Sequence, residues 1–553
     1  MSAHVPVTLR ASVCSHASRS TRTSGPAAAA PPALATTMSS VPSSSHAAAT
    51  AAATSSSTVT SAVTARAAPP IDATASSSTS RRRPQMVTVA PSAARRRAHP
   101  NPMPVPPPVT SAWRPSSGPV AFTVEGVISR QYVEPMSDLR ADDDSNRFVV
   151  TFDRAGTRTP DHPTRPEIQL LSPDFYGPRF EELTTWMRAE APMYWDDSVG
   201  IWGAAAYEDV KRLSRDWRTF CSGQGSRPES SVPSMINMDP PEHIRRRRMV
   251  SAGFSLRRVQ DHEPYLRERV TKLLDAVVER GECDIVADIA TPLPMYMIGE
   301  LMGLPEEDHA QLLHWSDLFA TGGSEIRDEV VDAVRAYSAY ILEKVAQRRG
   351  GTAEDLVSLI VNADDEQGPL SDLDLVFETM LVLVGGDETT RHVISGGVEA
   401  LLRHPEQLAL LRAEPERLPA AIEEMLRWVS PIRNMNRTAT VDVEVNGQQV
   451  KEGDRILLLY PSANRDEGVF EHPYRFDISR TPNDHVSFGA FGRHHCLGAP
   501  LARLELRVLF EELLARLPDL QLATDAELPR RRGNFVLGLE QVPVTFTPGP
   551  RVG

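Results

Sequence analysis

Apolar positions near the end of the chain fall at helical spacing. Leu506, Leu509, Leu513 and Leu517 recur every three or four residues, which predicts a helix buried on at least one face. A longer pattern lies upstream. Ser371 followed by Asp374 has the form of a capping box, and the apolar rhythm continues to Arg403. That is a helix of about 48 Å at 1.5 Å per residue, enough to cross a domain. Shorter helices are predicted over 179–188, 207–213 and 419–428. Residues 257–348 read as almost wholly helical scaffold without chemistry, broken at Gly281, Pro292, Pro294, Pro305 and Gly322-Gly323. Strand patterns are few: Met193-Tyr-Trp, the alternation Val441, Val443, Val445 before an Asn446-Gly447 turn, and 455–460. The expectation is a mainly α protein, one large helical domain with small β-sheets.

Upstream of residue 170 the patterning fails. Residues 1–118 are Ala, Ser, Thr and Pro with arginine clusters at 81–83 and 95–97, a composition that predicts a disordered extension. Residues 119–169 form a poorly defined lead-in, and the folded domain is expected over 170–553. Charge divides the same way. The first 118 residues carry eleven Arg, no Lys and a single acid, Asp72, for a net +10. The other 435 carry −23 of the total −13. The extension has three readings: an organellar leader, a basic tail for acidic surfaces or nucleic acid, or an upstream extension of the reading frame with the true start near Met136. The last is the expectation, with no nucleic-acid partner. Four cysteines (Cys14, Cys221, Cys283, Cys496) without paired spacing predict no disulfide framework and a reducing, cytoplasmic location. No run of about twenty apolar residues predicts a transmembrane segment.

Chemistry concentrates in a few stretches. In Phe488-Gly489-Ala-Phe491-Gly492-Arg493-His494-His495-Cys496-Leu-Gly498 a glycine-broken loop delivers one cysteine to the start of the leucine-patterned helix. Backbone N–H groups and the dipole there favour a thiolate, the glycines allow approach to a flat, bulky ligand, and Arg493 and His494 add positive or donor groups. A packing cysteine or a His-His-Cys zinc site also fits these residues alone. Within the long helix stands Gly385-Gly386-Asp387-Glu388-Thr389-Thr390. Two adjacent helical glycines cost about 1 kcal/mol each relative to Ala; close packing explains one better than two. Thr389 is placed to bond the carbonyl four residues back and open the helix locally. Asp239 before Pro240-Pro241 reads as an N-cap, with His243 and Arg247 on one face of the helix that follows. Glu424 and Arg427 likewise share a face.

These four stretches, in this order, resemble the cytochrome P-450 family. Phe488 stands eight residues before Cys496, one more than the family's usual spacing, with Ala490 or Phe491 extra; a minority of actinobacterial, steroid-oxidising members share the longer loop. The resemblance implies haem b with Cys496 as its iron ligand. It implies that His243, Arg247, Arg437 and His494 bind the haem propionates. It also implies that Glu388 and Thr389 are the catalytic acid–alcohol pair supplying protons for dioxygen activation. Glu424, Arg427 and Arg475 then form a buried structural set. Other stretches, such as Ile422 to Trp428 and Asn534 to Glu540, look like the mycobacterial-type hydroxylases of the steroid (cholesterol or cholestenone) side-chain terminus. That implies an apolar substrate lining of Met235, Val384, Gly385, Val429, Ile432, Met435, Phe535, Val536 and Leu537.

The expected activity is monooxygenation of a lipophilic substrate at a steroid side chain, with a fatty acid or secondary metabolite as the alternative. A haem sensor without turnover is a different class, against which the Glu388–Thr389 pair argues; a peroxide-driven enzyme usually lacks that pair. No Gly-x-Gly-x-x-Gly follows a strand, so electrons are expected from NAD(P)H through a separate ferredoxin reductase and ferredoxin. Arg245, Arg246, Arg248, Arg493 and Arg503 are the expected basic island for that acidic partner.

Overall fold

The computed structural model describes residues 161–228, 231–321 and 328–553. The expected extension, the lead-in up to residue 160 and the Gly322-Gly323 break lie outside them.

Among the described residues helices far outweigh strands. In α1 (Phe180–Glu190) the buried positions are Phe180, Leu183, Thr184 and Met187, one face of the helix. Next come β1 (Met193–Asp196), β2 (Ile201–Ala204), α2 (Tyr207–Arg215), β3 (Phe220–Cys221) and α3 (Glu242–Ser251). Scaffold follows as α4 (Glu263–Val278), β4 (Glu282–Asp284), α5 (Pro292–Met302), α6 (His309–Thr321) and α7 (Asp328–Arg348). The last third holds α8 (Asp372–Arg403), α9 (Leu418–Val429), β5 (Asn434–Ala439), β6 (Val443–Val445), β7 (Gln448–Val450), β8 (Arg455–Leu459), α10 (Ala499–Arg516), β9 (Gln521–Leu522) and β10 (Pro543–Thr545).

Everything packs around α8. Ser371 Oγ accepts the Asp374 N–H at 3.2 Å and Asp374 Oδ2 accepts the Ser371 N–H at 3.3 Å, the capping box that starts its 32 residues. Helices α5, α6, α7, α9 and α10 surround it, so it is buried on nearly every side, as an all-round apolar helix must be. Small residues set the crossings. A Cβ on Gly386 would stand 2.6 Å from Ile298 of α5, and one on Gly396 2.7 Å from Val429 of α9. In α10 Leu506, Leu509 and Leu513 are buried, with Leu517 just past its end.

A five-stranded sheet runs β1-β2-β8-β5-β3, with β2 and β8 parallel (Trp202 opposite Ile456) and the other pairs antiparallel. Strands β4, β10 and β9 form a second sheet. The β6–β7 hairpin turns at Asn446 (φ 48°) and Gly447 (φ 74°), the left-handed pair that a two-residue hairpin requires.

Three local expectations change. Asp239 is not an N-cap: two prolines separate it from the first turn of α3, and its carboxylate accepts the N–H groups of Ser222 (2.9 Å) and Gly223 (2.8 Å) instead. Pro292 marks the point where a π-helical turn, Ile285–Ala290, gives way to α5, whereas Pro294 lies within the first turn of α5, where N–H groups have no intrahelical acceptor. The scaffold also contains a strand, β4, whose partner β10 lies at the far end of the chain. Among the described residues, Ile285–Met302 is long and apolar enough to cross a membrane (mean hydropathy 1.2); here it is core, packed against α8.

Candidate functional site

A cavity of about 1490 Å³, counting the part open to solvent, is walled by α8, α3, the 431–437 segment, the Cys496 loop and the start of α10.

Cys496 lies on this wall, three residues before the first residue of α10. Its N–H donates to the Phe488 carbonyl at 2.8 Å, closing the loop. The longer loop is absorbed at Phe491, which takes a positive φ of 57°, donates its N–H to the Gly489 carbonyl at 2.8 Å, and exposes its ring stacked on His495. Ala490 is buried and Phe491 exposed. Phe488 keeps a place on the cavity wall, with Arg503 4.6 Å over its ring. Gly489 needs its φ of 83°. Gly492 is small for a different reason than expected: a Cβ there would collide with the Ser214 carbonyl of α2, a protein neighbour and not a ligand. Cys496 is exposed on the cavity wall, yet the protein atoms packed around its sulfur raise the thiol by desolvation, and the N–H groups of Gly498 and Ala499 together with Arg247 oppose this without overcoming it. The helix start alone does not produce a thiolate.

Four basic side chains converge on the same cavity: His243 and Arg247 from α3, Arg437 from β5, and His494. The two imidazoles stand 4.2 Å apart. Among the described residues none of the four pairs with a carboxylate. Arg247 donates to the His495 carbonyl and Arg437 to the Asn436 carbonyl at 2.7 Å. His243 is 1% exposed and neither ring nitrogen has a protein partner. Burial and the neighbouring arginines lower His243 to about 4; burial, Arg437, His243 and Arg247 lower His494 to about 2. Neither ring therefore brings positive charge until an anion faces it. A flat group with two carboxylates beside Cys496 would satisfy this set, so the residues fit haem. A zinc site is not assembled: among the described residues no three His, Cys, Asp or Glu are grouped to hold a metal.

On α8, Leu381, Val382, Gly385, Gly386, Thr389 and Val393 line the cavity. Thr389 Oγ1 donates to the Gly385 carbonyl at 3.0 Å. The helix is not opened by this bond; the groove comes from Gly385, beside which a Cβ would meet nothing within 4 Å. Glu388 is not on the cavity wall. It is fully buried, bonded to Arg391 and to Arg531 (2.8 Å), with His392 Nε2 at 3.5 Å. Asp317 of α6 joins both arginines, at 2.9 and 3.3 Å. The scaffold thus supplies the site with Asp317 and Ile298, which no motif singled out. Their signal was slight: one acid inside an apolar helical run, and one isoleucine opposite a glycine.

The expected substrate lining divides. Met235, Gly385, Ile432 and Met435 face the cavity. Val384 does not, because it falls off the 382–385–389–393 face of α8. Val429 packs into the notch of Gly396. Phe535 lies 4.5 Å beneath the Arg227 guanidinium, Val536 bridges the backbone of Ile432, and Leu537 joins the core cluster around Leu170.

Beside the site, Glu424 and Arg427 are both wholly buried and bonded twice, at 2.7 and 2.8 Å. Arg475 is not the third member by its side chain, which is exposed; its carbonyl accepts from Arg427 at 3.3 Å. Arg480 completes the set, 3.1 Å from Glu424 Oε2, because the turn after Phe476 carries it back over the pair.

A family model described as Cytochrome P-450 matches residues 295–545. The chain is 46% identical over 398 residues to the steroid C26-monooxygenase of Mycolicibacterium smegmatis, covering 70% of this chain and 98% of that one. It is 46% identical over 396 residues to the steroid C26-monooxygenase of Mycobacterium tuberculosis, covering 70% and 99%. A cytochrome P-450 of Bacillus megaterium, solved in complex with testosterone, aligns with a TM-score of 0.62 at 32% identity, covering 66% and 97%.

Proposed function

The chain belongs to the cytochrome P-450 family, and from that premise we propose that it is a haem-thiolate monooxygenase hydroxylating the terminal carbon of a steroid side chain. The observation that carries the reading is one mostly apolar cavity holding the Cys496 sulfur, the Thr389 hydroxyl and four basic groups, none of which is paired with a carboxylate among the described residues. When bound, haem supplies the redox chemistry of dioxygen activation.

The chain's own residues do the rest. Cys496 would hold the iron as its thiolate, giving up the thiol proton on binding. His243, Arg247, Arg437 and His494 would receive the two carboxylates. Thr389 presents Oγ1 to the cavity, its orientation set by the Gly385 carbonyl. Glu388 sits one residue away behind it, ionised in its arginine clamp; once it slips Arg391 or Arg531 it takes a proton from solvent and passes that proton toward the hydroxyl. Met235, Ile298, Val393, Ile432 and Met435 exclude water and hold an apolar tail by contact area. The two steroid C26-monooxygenases support a steroid as that tail. Electrons come from NAD(P)H through a separate ferredoxin reductase and ferredoxin. Among the described residues neither Cys221 nor Cys283 is in a disulfide, which suits the expected cytoplasmic setting.

The test is a spectral titration of haem-loaded protein with cholestenone against a fatty-acid panel, followed by product analysis with a ferredoxin system. Cholestenone should shift the Soret band at the lowest concentration and yield the terminal alcohol. A shift only with fatty acids would replace the substrate class.

A further inference from the structure

One acid on α8 has no role in this reading. Glu378 stands on the same helix face as Val382, Gly385 and Thr389, at intervals of four, three and four residues. Those three line the cavity and Glu378 does not. It is 0% exposed and meets the backbone of a loop instead: its Oε1 accepts the Met235 N–H at 2.8 Å. Arg246 of α3 holds the same loop. Its Nη1 donates to the Pro233 carbonyl at 3.2 Å and lies 3.4 Å from the same Glu378 oxygen. One ion pair therefore grips two backbone groups two residues apart, a carbonyl by its cation and an N–H by its anion. Ser234, between them, is 0% exposed.

The loop's own bonds shape it without tying it to α8. Ser234 donates its N–H to the Val232 carbonyl at 2.8 Å, Asn237 its N–H to the Ser234 carbonyl at 2.9 Å, and Asn237 Nδ2 to the Val232 carbonyl at 2.9 Å. Met235 and Ile236, at the start of the resulting turn, are cavity wall. A methionine is unbranched and adapts to the space it is given, so the place of its backbone decides how far it reaches into the cavity.

Stability alone is a weak reason for the arrangement. A buried ion pair is often replaceable by apolar residues without loss, and Arg246 already has Glu242 at 2.7 Å and Asp374 at 2.6 Å. Glu378 Oε2 has no protein partner, and burial pushes the carboxyl up to about 7 against Arg246 and the Met235 N–H. What a third acid adds at this guanidinium is the bond to Met235. Oε1 accepts that bond whether or not the group holds a proton.

We propose that Glu378 is a positioning residue for the substrate: with Arg246 it latches the Pro233–Met235 backbone to α8, so that Met235 and Ile236 form a fixed wall that presents the apolar tail by its terminal carbon. This role rests on the monooxygenase reading and adds to it the residue that sets where the oxygen goes.

Hydrogen exchange of the haem-loaded, substrate-free protein tests the latch, with Glu378→Leu and Glu378→Gln beside the wild type. Leucine offers no acceptor, so the Met235 amide should exchange about 10-fold faster, with exchange in α10 unchanged. Glutamine keeps a carbonyl oxygen for that N–H and should restore most of the protection. Product analysis with a ferredoxin system tests the consequence. The leucine variant should raise KM about 10-fold with a smaller effect on kcat and spread hydroxylation from the terminal carbon to its neighbours; glutamine should bring the terminal product back. An acid that only stabilised the fold would change haem loading and leave the product ratio alone. Unchanged exchange at Met235 overturns the latch, and faster exchange with unchanged KM and product ratio overturns its part in specificity. If the leucine variant shows no carbon monoxide band, Arg246→Gln, which frees the Pro233 carbonyl, is measured in its place and the same two results decide. A wild type that ignores cholestenone refutes the steroid reading alone: the exchange comparison stands, and product ratios are read on the fatty acid that binds.

Discussion

Arg531 Nη1 stands 2.8 Å from Glu388 Oε2, tying the C-terminal loop to the middle of α8 across 143 residues of chain. Burial alone would raise the Glu388 carboxyl. His392, Arg391, Asp317 and Arg531 together outweigh burial and hold it at about 2. A folded value below the usual 4.5 means this carboxylate stabilises the fold above about pH 4.5 and loses that contribution as pH falls toward 2. Arg531→Gln should weaken the clamp. Acid unfolding followed by circular dichroism should move to higher pH, with about 2 kcal/mol lost at neutral pH. An unmoved acid limb would mean Arg531 does not hold Glu388 in solution.

Thr389→Ala should leave the carbon monoxide spectrum and cholestenone binding intact, since Thr389 contributes only a hydroxyl to the wall. Product formation should fall by about 10²-fold, with the electrons appearing as hydrogen peroxide. Peroxide released per donor oxidised is the measurement; tight coupling in the variant would remove Thr389 from proton delivery.

Cys496→Ala should abolish the red-shifted carbon monoxide band. Of the other cysteines in the described residues, Cys221 sits in β3, and Cys283 is buried in the second sheet, where burial pushes its thiol up to about 12. A surviving thiolate spectrum would move the ligand elsewhere.

Arg480→Gln should destabilise the fold far more than Arg475→Gln. Removing one member of a buried charge set strands the others, at about 3–5 kcal/mol, whereas Arg475 is exposed and gives the set only its carbonyl. Denaturant unfolding of the two variants side by side decides it; equal losses would restore Arg475 to the set.

That contrast shows what the sequence could and could not disclose. The leucine spacing of α10, the capping box of α8 and the Cys496 loop are local patterns, and the structure reproduces each within a residue or two. Which of two arginines five residues apart reaches Glu424 depends on a turn, and no periodicity encodes that. Glu388 looked like a cavity residue because it adjoins Thr389, but one residue along a helix is a turn of 100°. Phe535, Val536 and Leu537 were read as lining because they are apolar, yet each packs into other protein. Asp317 and Arg531 meet only through long-range packing.

The electron donor provides the last prediction, and the structure narrows it. Arg245 meets Asp365 at 3.0 Å, and Arg246 lies among Glu242 (2.7 Å), Asp374 (2.6 Å) and Glu378 (3.4 Å). Arg503 is bound to Glu423 at 2.6 Å. Three of the five arginines expected on a docking face are therefore engaged by acids. Arg248 differs: its side chain is 71% exposed, with Asp365 only at 3.4 Å, on the helix whose other face brings His243 and Arg247 to the cavity. Arg493 is exposed too, 4.9 Å over the Trp217 ring. On a chain whose residues 119–553 carry −23, two such cations would give the proposed acidic ferredoxin a selective docking mark. Arg248→Glu should slow ferredoxin-driven turnover, most at low salt, because exposed charges more than about 10 Å apart are screened at 0.1 M. Peroxide-driven turnover should be unchanged. Arg246→Glu should instead damage both, since it puts a fourth carboxylate among three. If Arg248→Glu costs the two electron sources equally, its effect lies in the haem pocket and the docking face is elsewhere.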